Sequence, residues 1–201
     1  MMLKRMTPLK KITPLIFILL LTACLSPVNT AQKNNYVLNT APPMNHAPKI
    51  RSQVLLVSVP RLDPIMSNNK MVYFDGQHQI GYFSLNNWAA NPNEMFFTLL
   101  LNTLQQQSEF RAVVSAPYNG QSNLQLNIVN FSIVQDFTVH PSMVRVKMDA
   151  RLTYARQQNV LKTRIIQASM ATSADTPEAG VVAANLAVAQ CLTQLIVFVN
   201  E

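Results

Sequence analysis

The sequence predicts an α+β domain of two layers, a mainly antiparallel sheet with two helices packed on one face. Three observations carry this prediction. Residues 143–154 alternate apolar and charged positions with a period of two, as a strand with one buried face must. Two apolar stretches, behind Asn91-Pro92 and Thr176-Pro177, repeat at intervals of three and four, as helices with one buried stripe must. The order strand, hairpin, helix, strands, helix then has room for one sizeable core in a chain of 201 residues that is 49% apolar.

Each element has its own local cause. Val54-Leu55-Leu56-Val57-Ser58-Val59 is a short Val/Leu run stopped by Pro60, which reads as a central strand buried on both faces. Met71-Val72-Tyr73-Phe74 and Ile80-Gly81-Tyr82-Phe83 flank Asp75-Gly76, a turn signal for a hairpin. Asn91 as N-cap, Pro92 at the first helical position and Glu94 three residues after the cap open a helix whose apolar face is Met95, Phe96, Leu99, Leu100, Thr103 and Leu104. After Arg111-Ala112-Val113-Val114 and the Pro117-Tyr118-Asn119-Gly120 turn, a long strand starts at Leu124. Leu124, Leu126 and Ile128 alternate, while Val129, Phe131 and Ile133 continue in the opposite phase, so a bulge near Ile128-Val129 is expected. The strand from Met143 to Tyr154 pairs with Val160 to Met170 through Gln157-Gln158-Asn159. Thr176-Pro177-Glu178 opens the last helix, with Val181, Ala184, Val188, Leu192, Leu195 and Val199 as its stripe.

The front of the chain reads as an address. Lys4, Arg5, Lys10 and Lys11 precede an apolar core, Leu15 to Leu21, too short to span a membrane, and Leu21-Thr22-Ala23-Cys24 follows at once. That ending resembles the bacterial lipobox, in which the cysteine is diacylated, the chain is cut before it and the new amino group is acylated. The expected organisation is a lipoprotein signal peptide over 1–23, acylated Cys24 and a flexible tether over 24–49, and one periplasmic domain over 50–201. A plain secreted chain with an incidental Cys24 is the alternative. Leu25-Ser26 after the cysteine, rather than an aspartate, favours the outer membrane over inner-membrane retention. Within the tether, Tyr36-Val37-Leu38 is the one sticky point and could add to a sheet edge.

Charge and cysteine usage narrow the function. Residues 1–23 hold four of the 16 Lys and Arg and none of the nine acids, so the formal +7 falls to about +3 without them. That balance demotes nucleic-acid binding. With Cys24 acylated, Cys191 is left without an intrachain disulfide partner; it reads as a small buried hydrophobe or, alternatively, a reactive thiol. Gly76, Gly81, Gly120 and Gly180 are too dispersed to cradle a phosphate, and His46, His78 and His140 have no acid or cysteine at metal spacing. The nine acids are scattered, and Gly-x-Ser-x-Gly is absent, so the expectation is a non-enzyme with no catalytic residue, cofactor or metal.

Two features are candidates for partner binding. Arg145, Lys147, Arg151, Lys162 and Arg164 lie on two strands expected to be neighbours. They form either a shared cationic face for an acidic partner or lipid headgroups, or an ordinary solvated face countered by Asp149. Trp88, the single tryptophan, either closes the core at the strand-to-helix junction or anchors an interface.

The layout resembles the ABC-type transport auxiliary lipoproteins, including the paraquat-inducible lipoprotein and its relatives. The resemblance rests on Leu21-Thr22-Ala23-Cys24, Tyr36-x-Leu38, the Leu55-to-Pro60 strand followed by Leu62-Asp63, the Met71-Val72-Tyr73 and Gly81-Tyr82-Phe83 hairpin, Trp88 and Pro92 before a helix, and the final apolar helix. Asn87 stands where many relatives carry a basic residue. The resemblance implies a non-enzymatic subunit of an MCE-type lipid transport system, docking the periplasm-spanning MCE-domain protein at the outer membrane. Covalent diacylglycerol and an N-acyl chain such as palmitate on Cys24 would anchor it, and some relatives form homo-oligomeric rings. The rival is a structural lipoprotein assisting assembly of an outer-membrane secretion or adhesin machine; a third reading is a periplasmic lipid carrier with its own cavity.

Overall fold

The Val/Leu run, the hairpin and the alternating strands all fold as strands because their apolar positions find one common core. A computed structural model describes residues 31–43 and 48–201. The predicted signal peptide, Cys24 and His46 lie outside the described residues. The elements are β1 Asn34–Tyr36, β2 Arg51–Val57, β3 Lys70–Phe74, β4 Ile80–Trp88, α1 Pro92–Gln107, β5 Phe110–Ser115, β6 Leu124–Asp136, β7 Met143–Tyr154, β8 Val160–Ala171 and α2 Pro177–Asn200.

The eight strands form one sheet, and it is mixed rather than mainly antiparallel. Four of its seven strand pairings are parallel: β1 with β4, β2 with β5 and β6, and β3 with β6. The correction has a topological cause. Between β2 and β5 the chain makes a hairpin and a helix, long enough to bring β5 back beside β2 in the same direction, whereas antiparallel neighbours need only a tight turn. The β3–β4 hairpin and the long β6–β7–β8 meander are antiparallel as expected. β2 is central, with β5 on one side and β6 on the other.

The predicted bulge exists in β6. The β6–β7 register shifts between Val129 and Ser132, and Asn130 takes the left-handed conformation at φ 54°, which asparagine tolerates. Its amide donates to Asp149 Oδ2 at 2.7 Å. The shift lets Leu124, Leu126 and Ile128 before it and Phe131 and Ile133 after it all enter the same buried cluster. Residues after β2 run along this kink, with Arg61 N–H donating to Ile128 O and Phe131 N–H donating to Arg61 O, both at 3.0 Å. In the hairpin, Gly81 is the register partner of Tyr73, whose ring lies across it; a Cβ at Gly81 would meet that ring at 2.2 Å.

Both helices begin where the caps predict. Thr176 Oγ1 accepts from Ala179 N–H at 3.2 Å, and Pro177 follows. At α1 the Asn91 side chain instead donates to Glu94 Oε1, at 3.1 Å, and accepts nothing. Phe96 of α1 stacks on Phe131 with centroids 4.5 Å apart, and α2 lies against β7 and β8. Phe96, Leu100, Leu104, Val188, Leu192, Leu195 and Val199 are buried in the same cluster.

The compact unit runs from Lys33 to Glu201, so part of the segment read as tether belongs to the domain. The sheet-edge alternative for Tyr36-Val37-Leu38 is what forms: β1 pairs with the end of β4, and Leu38 is buried in the core. Asn185 of α2 holds this segment by accepting from the N–H groups of Asn39 and Thr40 at 2.8 and 3.1 Å and donating to Val37 O at 3.1 Å. Lys49 donates to Gln105 O at 2.8 Å.

Candidate docking surface

The five cations proposed to share one face are divided between two. Cross-strand partners in a sheet point to the same side. In β7–β8, Arg145, Lys147 and Arg151 pair with Ser169, Gln167 and Thr163, whereas Lys162 and Arg164 pair with Leu152 and Ala150, which are buried under α2. Lys162 and Arg164 therefore belong to the helix side. Their cationic heads sit over the Phe198 ring of α2, 4.8 and 5.4 Å from its centroid, and Arg164 donates to Glu201 at 2.6 Å. Burial pulls the Lys162 ammonium below its ordinary pKa, with Glu201 opposing the shift and Arg164 and Arg51 adding to it. The expected pooling of charge failed because the register depends on the turn. The β7–β8 ladder shifts between Leu152 and Thr153, and residue counting from 157–159 does not reveal which parity results.

The helix-free side carries Lys147 and Arg151 in the open. Neither takes part in the four ion pairs found among the described residues. Arg145, on the same side, is committed: its guanidinium grips Asp136 Oδ2 with Nε at 3.0 Å and Nη2 at 2.7 Å. Burial pushes the Asp136 carboxyl up, but donation from the Thr138 hydroxyl and N–H and from Arg145 outweighs it and holds the carboxyl below its usual range.

Around Arg151 the surface is concave, and Lys147 stands four residues away along the same face of β7. A hollow of about 420 Å³ is lined by Val129, Asp149, Arg151, Thr163 and Ile165, and a second of about 170 Å³ adjoins it at Val129 and Arg151, with Val59 and Arg61 on its far wall. Ile165 is 60% exposed and Val59 44%. The result is an apolar floor with Arg61 and Arg151 on its walls and one carboxylate, Asp149, already engaged by Asn130, while Lys147 adds a third cation farther along the same face. An apolar centre with a charged rim is the anatomy of a protein-binding patch. Arg61 and Val129 were invisible as members of it. Arg61 arrives on the connection after β2, and Val129 faces outward because the register shift falls after it, which leaves it in the phase opposite to Ile128 rather than in that of Phe131 and Ile133 as expected.

Trp88 takes the core role rather than the interface one. It is 2% exposed at the end of β4, its backbone N–H donating to Asn69 O at 2.8 Å while Asn69 Nδ2 donates back to Trp88 O at 3.0 Å. It lies with Val72, Ile133, Val144 and Gly180 inside the core, while β1 pairs alongside it through Tyr36, so it cannot anchor a partner without unfolding that edge. Cys191 is fully buried in α2, and burial pushes its thiol up to about 12, which suppresses the nucleophilic thiolate. His140 is exposed, with Nδ1 3.1 Å from Asp175 Oδ2, and His78 is exposed in the hairpin turn.

A family model described as the ABC-type transport auxiliary lipoprotein component matches residues 36–196. The crystal structure of a Xanthomonas campestris protein of the family DUF330 is similar, with 18% identity and a TM-score of 0.74 over 83% of this chain and 95% of that one. The crystal structure of an uncharacterized protein is also similar, with 16% identity and a TM-score of 0.65 over 84% of this chain and 99% of that one. At these identities the likeness is one of fold. No curated protein matches the chain.

Proposed function

The chain belongs to the ABC-type transport auxiliary lipoprotein family, and we propose that its helix-free sheet face docks an acidic periplasmic component of an MCE-type lipid transport system at the outer membrane. The observation that carries the reading is the pair of uncommitted cations on one sheet face, Lys147 and Arg151, with the apolar Val129 and Ile165 beside Arg151. In this reading the partner is steered by charge and held by apolar contact. Cations on a rim raise association rates by ten-fold or more at low salt, an effect that added salt removes.

Acyl chains on Cys24 supply the anchor. Two or three chains, each adding about 0.8 kcal/mol per buried CH2, give durable attachment where a single one does not. Transport energy comes from the ATPase of the complex, and this subunit contributes position. Its hydrogen-bonded β6–β7–β8 meander suits that task, because docking residues on long paired strands stay in place without a partner.

Isolation of the tagged, lipidated protein from membranes tests the reading. Recovery of an MCE-domain protein, retained in detergent when Cys24 is changed to serine and lost when the folded domain is trimmed, supports it. Recovery of secretion or adhesin components in its place overturns it.

A further inference from the structure

The outer side of α2 lacks what the solvent side of a soluble helix normally has. Between Glu178 and Glu201 the helix carries no charged residue. Its exposed positions Val182, Leu186, Gln190, Thr193 and Val197 recur at intervals of three and four and so fall on one narrow stripe, about 22 Å long at 1.5 Å per residue. Val182, Leu186 and Val197 are 63%, 51% and 49% exposed. A surface helix normally fills this side with charge.

The chain enters the domain beside this stripe. Val37, itself half exposed, is bonded through its carbonyl to Asn185, the neighbour of Leu186, and the next two N–H groups of the entering segment that bond α2 go to the same side chain. Tyr36 Oη lies 2.7 Å from Glu178 Oε1 at the start of the helix. From Cys24 to Lys33 there are nine residue steps, which reach at most about 30 Å when fully extended. An acyl anchor on Cys24 therefore holds the N-terminal half of α2 close to the lipid.

We propose that the uncharged outer stripe of α2, with Val37 beside it, lies on the phospholipid surface that holds Cys24. The inference rests on the acylation reading of Cys24. Its second support is direction: α2 covers one side of β7–β8, and Lys147 and Arg151 project from the other. With the stripe on the lipid, the cationic face looks away from the membrane, towards the periplasm. Weak adhesion is sufficient, because a short tether keeps the stripe at millimolar effective concentration relative to the surface.

The test uses the acylated full-length protein on vesicles of phosphatidylethanolamine and phosphatidylglycerol. An environment-sensitive fluorophore is attached through Leu186→Cys or, separately, Val182→Cys, with Arg151→Cys as the reference on the opposite face. The expected result is a blue-shifted emission and at least three-fold protection from an aqueous quencher at 186 and 182 on vesicles, and none at 151. Equal quenching at all three sites, in protein that floats with the vesicles, overturns the proposal and leaves the anchor intact. Failure of the protein to float overturns the anchor reading and the proposal together. Protection at 186 without vesicles also overturns it, since another protein surface then covers the stripe.

Discussion

Phe131→Ala tests the bulge, the feature that lets one strand of thirteen residues serve a single core. Phe131 is fully buried and stacks on Phe96 at 4.5 Å, so truncation removes most of an aromatic side chain and leaves a cavity. Such truncations cost about 3–5 kcal/mol. In a domain of this size each kcal/mol lowers Tm by about 2–4 °C, so a fall of roughly 6–20 °C is expected. Ile128→Ala, on the other side of the bulge and 2% exposed, should cost about 2–5 kcal/mol. Val129→Ala, at the outward hollow, should cost less than about 1 kcal/mol. Thermal and urea melts followed by Trp88 fluorescence measure all three, because the single tryptophan is buried and moves into water on unfolding. A strand without the bulge would put Val129 and Phe131 on the same side. Similar costs for those two substitutions, with Ile128→Ala the outlier, would refute the register.

Three further outcomes follow from the same geometry. The Asp136 carboxyl is held below its usual range, so the stability it contributes is fully present above the unfolded carboxylate pKa of about 3.9 and is lost as pH falls through the lower folded value; acid titration of Asp136→Asn should show less loss of stability across that window than the wild type. Deletion through Gln32 should leave Tm unchanged, whereas deletion through Thr40 removes β1 and buried Leu38 and should lower stability by about 2–3 kcal/mol, measured by the same melts. A thiol reagent should leave Cys191 unmodified in the native acylated protein and react with it in denaturing urea; rapid native labelling would contradict the burial of α2.

Local chemistry was legible in the sequence, and pairing was not. Pro92 and Pro177 mark the helix starts, Asp75-Gly76 marks the hairpin, and the phase break at Ile128-Val129 marks the bulge, because each depends on residues within a turn or two of one another. Strand direction depends on which distant strand lies alongside. The hairpin and helix between β2 and β5 return the chain parallel, and no periodicity records that. The same limit governs the docking face. Alternation placed Arg145, Lys147 and Arg151 together correctly within one strand, but assigning Lys162 and Arg164 to their side required the register across a turn. Arg145 was then lost to Asp136, and Arg61 was gained from the β2–β3 connection, both through contacts across the sheet. Trp88 could be read either way in sequence, and burial of its side chain among residues of distant strands and the start of the last helix decides it.

The central claim is tested most directly by measuring how tightly the folded domain binds the MCE-domain protein recovered with it, using charge reversals on opposite faces. Lys147→Glu with Arg151→Glu should weaken binding at least ten-fold at low salt, by slower association, with the melting temperature within about 2 °C of wild type. Leu186→Glu, on the outer stripe of α2, should leave the affinity unchanged. Undiminished binding by the Lys147/Arg151 double variant, or loss of binding from Leu186→Glu alone, would contradict the assignment of the helix-free face as the docking surface.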